Sequence, residues 1–361
     1  RVLRARLDDA VFFFDLDRKK SLAEHREALK TVAFQQGLGN MYDKSERLAK
    51  AAAALHAALG AQSDVEDLKK SALLCKADLV TGMVTEFTEL QGAMGKEYAL
   101  LDGEKPAVAT AIYEHYLPRF AGDELPKSEN GRILAIVDKI DNIVATFSRG
   151  LAPTGSLDPY ALRRQALGIL NIILDGKLHI AMFKTIESAI SLLGLEKNDK
   201  LVADVFDFIK VRFKNMLSEM GMRYDVVDAV LGLKALDDIY DIYLRIQALN
   251  VYVQTAEAPE LVMAATRVSN ISGKAQGELT VNPALFKAQE EKDLLAALDQ
   301  AAATAKPLAD GHNYEEYMKS LAPIVPVVNK FFDGVMVMDK DEAVKNNRLA
   351  LVQKAQKLFN G

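Results

Sequence analysis

The sequence predicts an all-α protein, and three observations support this. Apolar residues recur with the helical period through much of the chain. Strand patterns are scarce, since the apolar run at 11–14 is short and flanked by charged helix-forming residues. Half of the 361 residues are hydrophobic and 26% are charged, a composition typical of a folded chain with a real core. No apolar run approaches the roughly 18 residues of a membrane span.

The first helix with a distinct start signal follows a loop rich in Gly and Pro at 150–159. Asp158 and Pro159 have the residue types of an N-cap and a first helical position. Apolar residues with helical spacing follow as far as position 173. We therefore predict a helix that begins at Pro159.

The clearest amphipathic pattern covers residues 202–217. Its apolar stripe consists of Val202, Val205, Phe206, Ile209, Phe213 and Met216. Similar patterns predict helices at 226–231, at 238–253 and across 331–338. Loops are predicted at 117–132, 150–159, 193–200 and 270–284, where Gly, Pro, Asn and charged residues concentrate.

The length allows two or three domains. The polar segment at 193–200 suits a domain junction, so we predict one domain at 1–196 and another at 197–361. The abrupt start inside charged helical sequence leads us to expect a piece of a longer chain. The single Cys75 excludes an internal disulfide framework and predicts a reducing, cytoplasmic location.

Charge gives no general sign of nucleic-acid binding. The net charge is −5, with 27 basic against 28 acidic residues over 1–200 and 18 against 22 over 201–361. Any RNA site must therefore be a local basic patch. One candidate is the pair Arg163 and Arg164 in the opening turns of the predicted helix, where free backbone N–H groups would also attract a phosphate. The alternative is a solvated or acid-paired arginine pair.

Acidic and histidine residues between positions 75 and 141 have a spacing that resembles the HD superfamily of metal-binding helical domains. Asp78, His115 and Asp138 are the candidate metal ligands. An adjacent His-Asp pair is central in that superfamily, whereas this chain has Ala77 before Asp78. Because a methyl group cannot replace an imidazole ligand, we expect a degenerate scaffold that has lost its metal site. The sequence also contains no phosphate-binding loop, nucleophile elbow or dinucleotide fingerprint.

Several segments read in order resemble the β subunit of bacterial glycyl-tRNA synthetase. The most distinctive is PTGS at 153–156 followed by DPYALRRQALG at 158–168. The others lie at 12–15, 34–39, 42–44, 76–81, 86–92, 94–95, 116–126, 267–271, 331–338 and 347–349. Each is modest alone, but together they span nearly the whole chain.

This resemblance implies an HD-like helical domain followed by a helical-bundle anticodon-binding domain of the arginyl-tRNA synthetase type. It implies tRNA(Gly) and the α subunit as partners, in an α2β2-type assembly, and neither DNA nor a membrane. Glycine activation with ATP and magnesium belongs to the α subunit, so no cofactor is expected in this part of the enzyme. The alternatives are an HD-type metal-dependent phosphohydrolase and an architectural scaffold for the α subunit.

The resemblance also suggests which residues bind tRNA. Arg163 and Arg164 are expected on phosphates, and Arg119 on the RNA backbone near the acceptor arm. Anticodon bases are expected at a helix end and loop, because single-stranded bases are the usual target of RNA readout. The candidates there are Arg267, Asn270 and Lys274. Arg348 is a further candidate, with helix packing or pairing with Asp341 as its alternative.

Overall fold

The computed structural model describes residues 2–155, 157–233 and 235–360. Within these ranges the fold is all-α, as predicted, and the only β interactions are isolated bridges, Ala33 with Asn40 and Thr154 with Leu157. None of the described helices is long and apolar enough to cross a membrane. The helices are α1 Val2–Asp17, α2 Leu22–Ala28, α3 Met41–Leu59, α4 Val65–Leu74, α5 Gly82–Glu86, α6 Ala93–Leu101, α7 Pro106–Glu114, α8 Glu129–Ser148, α9 Leu162–Gly176, α10 Met182–Leu192, α11 Asp199–Glu219, α12 Tyr224–Leu231, α13 Ile239–Tyr252, α14 Ala258–Ser272, α15 Gln289–Asp310, α16 Tyr314–Leu321, α17 Val325–Gly334 and α18 Glu342–Asn360.

The chain forms two compact units. The first comprises Arg1–Met220 with Leu233–Tyr240, and the second comprises Gly221–Gly232 with Asp241–Gly361. Helix α11, which starts just after the domain boundary expected from the sequence, belongs to the first unit. The two-domain division at 197 stays a prediction.

Helix α8 is the central element of the first unit and packs against α3, α7, α9, α10 and α11. Ser128 begins it by accepting a hydrogen bond from the Gly131 N–H, as expected of an N-cap serine. Its residues 133–137 are all apolar and buried. The next residues, Asp138 and Lys139, are equally buried but charged. Charges in such a place need partners, and these partners form the site described below.

The amphipathic pattern at 202–217 corresponds to α11. All six residues of the predicted stripe are buried. The helical predictions at 226–231 and 238–253 are likewise confirmed by α12 and α13. The prediction across 331–338 is wrong in its second half, because α17 ends at Gly334 and Val335 is extended, with φ −126° and ψ 121°. Val335 is still buried, so its apolar character reflects the core rather than a continuing helix.

The predicted start of α9 at Pro159 is also wrong. The helix begins at Leu162, after Ala161 in the left-handed region with φ 52°. Asp158 nevertheless caps it, because its carboxylate accepts hydrogen bonds from Leu162 N–H at 2.8 Å and Arg163 N–H at 3.0 Å. These two N–H groups are therefore not free to bind a phosphate.

The second unit is a helical bundle in which α14, α15, α17 and α18 pack together. One continuous apolar core runs through it, and Phe331 and Leu351 are fully buried at its centre. This organisation agrees with the helical bundle expected for the C-terminal part.

Candidate functional site

The buried centre of the first unit brings together Lys76, His115 and Asp138. Lys76 follows α4, His115 ends α7, and Asp138 lies on α8. The Lys76 ammonium lies 2.9 Å from His115 Nε2 and 3.0 Å from Asp138 Oδ2. All three residues are at most 5% exposed. A lysine ammonium therefore occupies the point between two of the donors that the sequence suggested for a metal.

The hydrogen bonds of His115 indicate its tautomer. Nδ1 faces the carbonyl oxygen of Ile112 and must donate, so Nε2 carries the lone pair that accepts from the Lys76 ammonium. Burial, reinforced by the Lys76 charge, holds the pKa of His115 well below its usual value. His115 is therefore a neutral partner of an ammonium.

Asp138 is held between two ammonium groups. The Lys44 ammonium, from α3, lies 3.0 Å from Asp138 Oδ1 and forms an ion pair there, although the angles do not suit a hydrogen bond. The Lys76 ammonium binds the other oxygen, Oδ2. Burial alone would raise the pKa of Asp138, but the charges of Lys44 and Lys76 lower it strongly. Lys44 also donates to Asp141 at 2.7 Å, and Arg47 binds that carboxylate through two nitrogens. Both carboxylates on α8 thus face cationic side chains from other elements.

Asp78, the third candidate metal ligand, caps a helix instead. Its Oδ2 accepts hydrogen bonds from Gly92 N–H at 2.7 Å and Gly95 N–H at 3.1 Å, at the start of α6. A Cβ at Gly95 would lie 3.0 Å from this oxygen, so glycine permits the close approach. Burial raises the pKa of Asp78 to about 6, against the lowering effect of the two N–H groups. The candidate ligands do not fit a metal, because one caps a helix and the other two bind Lys76, and no group of three or more His, Cys, Asp or Glu within the described ranges is placed to hold one.

Lys139 is a second buried ammonium beside this cluster, only 5% exposed. It donates to the carbonyl oxygens of His115 at 3.2 Å and Leu117 at 2.8 Å. Its stem packs on Gly168 of α9, where a Cβ would lie 3.0 Å from Lys139 Cε. The pKa of Lys139 is lowered to about 8, mainly by burial and also by the Lys76 charge, against the raising effect of Asp138.

A cavity of about 350 Å³ opens above these groups. Lys76, His115, Asp138 and Lys139 line its buried part. Two exposed arginines line its outer part, as do the polar side chains of Asn142 and Gln165. These arginines are Arg119 and Arg164, which were both predicted from the sequence to bind tRNA.

Arg119 and Arg164 are 45 positions apart in the chain but are joined directly. Arg164 NH1 donates to the carbonyl oxygen of Arg119 at 3.1 Å. The Arg119 guanidinium pairs with Asp123, with 3.0 Å from Nε to Oδ2. Arg163 faces elsewhere: it donates to the carbonyl oxygen of Gly155 at 2.6 Å and does not line the cavity. Two of the predicted tRNA-binding residues, Arg119 and Arg164, therefore lie together, whereas Arg163 lies apart from them.

In the second unit, α14 presents Arg267 and Asn270 on one exposed stripe with Met263. The Arg267 guanidinium stacks over the Phe332 ring at 4.8 Å and lies 3.1 Å from Asp333. Lys274 is exposed just beyond the end of α14. These three candidates are thus accessible from solvent on one helix and the loop after it.

Arg348 has a different environment, because it is only 6% exposed. It lies 2.9 Å from Glu291 and 2.7 Å from Asp339, and it also donates to the carbonyl oxygen of Met336. Glu291 is itself fully buried. This geometry gives no support to a tRNA contact at Arg348, since the side chain is buried and two of its guanidinium nitrogens already bind Glu291, Asp339 and Met336. The partner anticipated from the sequence, Asp341, instead caps α18 through the Ala343 N–H.

Sequence reasoning missed the buried cations, Lys44, Lys76 and Lys139. A signal was present for two of them. Lys76 directly follows the apolar run that ends at Cys75, and Lys139 interrupts an apolar helix. Charged residues in such positions are rarely buried unless they are paired.

Comparison with known proteins agrees with this architecture. The family model described as "Glycyl-tRNA synthetase beta subunit" matches residues 1–232, and that described as "DALR anticodon binding domain" matches residues 261–361. The chain belongs to the glycyl-tRNA synthetase beta subunit family.

Individual relatives support the same assignment. The glycine–tRNA ligase beta subunit of Clostridioides difficile (strain 630) is 46% identical over 98% of this chain and 51% of its own length. Those of Desulforamulus reducens and Syntrophotalea carbinolica are 43% and 44% identical, over 98% and 100% of this chain and 52% of their own lengths. The chain thus spans about half the length of the curated relatives that it matches.

Proposed function

We propose that the chain is the tRNA-binding part of a glycine–tRNA ligase beta subunit, which holds tRNA(Gly) for aminoacylation carried out with the alpha subunit. The observation that carries this proposal is the family assignment over both units, with an anticodon-binding model on the second. The basic surface at Arg119 and Arg164 supports it, because the two residues expected on the RNA backbone lie together and exposed.

In this proposal, the two units bind different parts of the tRNA. Arg119 and Arg164 contact backbone phosphates near the acceptor arm, since guanidinium groups match phosphate geometry. Arg163, in the first turn of α9, is kept as a further phosphate contact. Arg267, Asn270 and Lys274 meet anticodon bases, which single-stranded loops present for stacking and edge hydrogen bonds.

Catalysis is assigned to the partner chain. We propose that ATP and magnesium act in the alpha subunit, in an α2β2-type assembly located in the cytoplasm. The residues that the sequence suggested as metal ligands do not support the alternative of a metal-dependent phosphohydrolase, because Lys76 occupies the space between His115 and Asp138.

The test is an anisotropy titration of labelled tRNA(Gly) with the chain at low and at physiological salt. We expect saturable binding that weakens with salt, because each neutralised phosphate releases counterions. Replacement of Arg119 and Arg164 by Ala should weaken binding by about tenfold or more, as expected for the loss of charge-assisted hydrogen bonds.

The matched control is Lys69→Ala with Lys200→Ala, which also removes two exposed positive charges from ion pairs within helices of the first unit. Its affinity should stay within about twofold of the unmodified chain. If no tRNA binds even at low salt, the proposal fails and the architectural-scaffold alternative gains support.

A further inference from the structure

The cavity above Lys76 and Lys139 has an uneven balance of charge. Lys76, Lys139, Arg119 and Arg164 line it, and Asp138 is the only carboxylate among the described residues of its lining. Asp123, outside the lining, pairs with Arg119, so four cations face two carboxylates. Asp138 is already engaged by Lys44 and Lys76, one on each oxygen. The wall therefore presents more positive charge than its own acid can balance.

Lys139 is the less compensated of the two buried lysines, because Lys76 pairs with Asp138. Within the described ranges, no carboxylate lies within 4 Å of its ammonium, which two carbonyl oxygens hold. An ammonium has three N–H donors, so one is left for a ligand in the cavity. Burying such a charge without a counter-charge is costly, and an anion bound beside it would offset that cost.

The depth of the cavity limits what can enter. Its inner wall is made of buried residues, with Lys76 4%, Asp138 5% and Lys139 5% exposed, whereas Arg119 and Arg164 lie exposed at the opening. A chain of phosphodiesters could not continue past this wall, but a terminal phosphate or a small free molecule fits. A volume of about 350 Å³ lies in the usual range of small-ligand sites.

We propose that this cavity binds a terminal phosphate monoester, with the phosphate held between the two lysines inside and the two arginines at the opening. A monoester carries a charge near −2 at neutral pH, which suits this surplus better than the single charge of a diester. Two sources share this chemistry, a free phosphate or mononucleotide and the 5′-phosphate of a tRNA. The site shares Arg119 and Arg164 with the proposed tRNA contact, but it can be tested without tRNA because inorganic phosphate alone would occupy it.

The experiment uses the whole chain and isothermal titration calorimetry with inorganic phosphate and with AMP. We expect one saturable site on the unmodified chain. Arg164→Gln should weaken binding by about tenfold, as for the loss of a charge-assisted hydrogen bond. Arg223→Gln is the control, at an exposed arginine outside the cavity that pairs with Asp225, and its affinity should be unchanged.

Lys139→Gln tests the inner wall, since an amide can keep a donor towards the carbonyl groups while removing the charge. Gly168→Ala is a second test that leaves every charge in place, because its Cβ would displace the Lys139 stem. Both variants should bind phosphate at least about tenfold more weakly. A circular dichroism melt of each variant confirms that it is folded.

Titrations with tRNA(Gly) that carries or lacks its 5′-phosphate show which source of phosphate the cavity binds. A loss of affinity on dephosphorylation that Arg164→Gln abolishes identifies the tRNA end, and phosphate or AMP binding without that loss identifies a free ligand. The proposal is overturned if phosphate, AMP and the 5′-phosphate all fail to bind in an Arg164-dependent way. It is also overturned if Arg223→Gln weakens phosphate binding as much as Arg164→Gln. Neither result would contradict the proposed binding of tRNA by this chain.

Discussion

The ammonium of Lys76 lies 2.9 Å from His115 Nε2 and 3.0 Å from Asp138 Oδ2, between two residues whose types and spacing resemble a metal site. An ammonium there keeps Asp138 ionised and His115 neutral. The cluster therefore acts as a fixed, buried set of charges that joins α4, α7 and α8. This relationship explains how a scaffold of this kind can fold around buried acids without a metal ion.

Replacing Lys76 by Met should destabilise the chain by about 3 to 5 kcal/mol, because one oxygen of a buried carboxylate loses its ammonium. Urea unfolding followed by circular dichroism measures this change. Lys69→Ala, at an exposed lysine, should cost less than about 0.5 kcal/mol. Equal effects of the two variants would show that the Lys76 contacts carry no stability.

Asp78 should behave as a cap rather than as a ligand. Asp78→Ala leaves two buried N–H groups without an acceptor and should cost about 3 kcal/mol. Asp78→Asn should stay within about 1 kcal/mol of the unmodified chain at pH 7, because one amide oxygen can still accept from Gly92 and Gly95. Unfolding of both variants by urea gives the comparison. A loss for Asn as large as that for Ala would argue that the negative charge itself is required.

Sequence reasoning succeeded where periodicity alone decides the outcome. The stripe of α11 was predicted at all six positions, since burial of one helical face fixes the spacing of apolar residues. It failed at the start of α9, because the left-handed Ala161 delays the helix and Asp158 reaches it from four residues away. No local pattern reports such a turn.

The composition of the site was harder to predict than the fold. Arg164 was suggested by its place early in a predicted helix and Arg119 by a family resemblance, but their contact spans 45 positions. Lys44 meets Asp141 across 97 positions. Arg348 pairs with Glu291, 57 positions away, and not with Asp341, which is nearer in the sequence. Ion pairs between residues so far apart follow no regular spacing, so a single sequence does not predict them.

Lys139 should make stability depend on alkaline pH. Its pKa is about 8 in the folded chain, because burial lowers it from 10.5. Between these values the unfolded chain holds a proton that the folded chain has released, so the free energy of unfolding rises with pH. Relative to Lys139→Met, the unmodified chain should gain about 2 kcal/mol between pH 7.5 and 9.5. Parallel pH curves for the two chains would contradict the lowered pKa.

Replacing Arg348 should lower the stability of the chain, whereas replacing Arg267 should lower its affinity for tRNA. Arg348→Ala leaves the buried Glu291 without its cation and should cost about 3 to 5 kcal/mol in urea unfolding. Arg267→Ala removes an exposed pairing with Asp333 and should cost less than about 1 kcal/mol. In tRNA titrations, Arg267→Ala should weaken binding, whereas any folded Arg348 variant should bind normally. If a folded Arg348 variant bound tRNA more weakly than Arg267→Ala, Arg348 would be assigned to the RNA contact instead.

The central claim is that two separate surfaces of this chain hold one tRNA. Hydroxyl-radical footprinting of tRNA(Gly) tests it most directly, with the unmodified chain, with Arg119→Ala/Arg164→Ala and with Arg267→Ala/Asn270→Ala. We expect protection of the acceptor arm and of the anticodon loop, with the first variant losing the former and the second losing the latter. Protection that neither variant alters, or no protection on saturation with the chain, would contradict the claim.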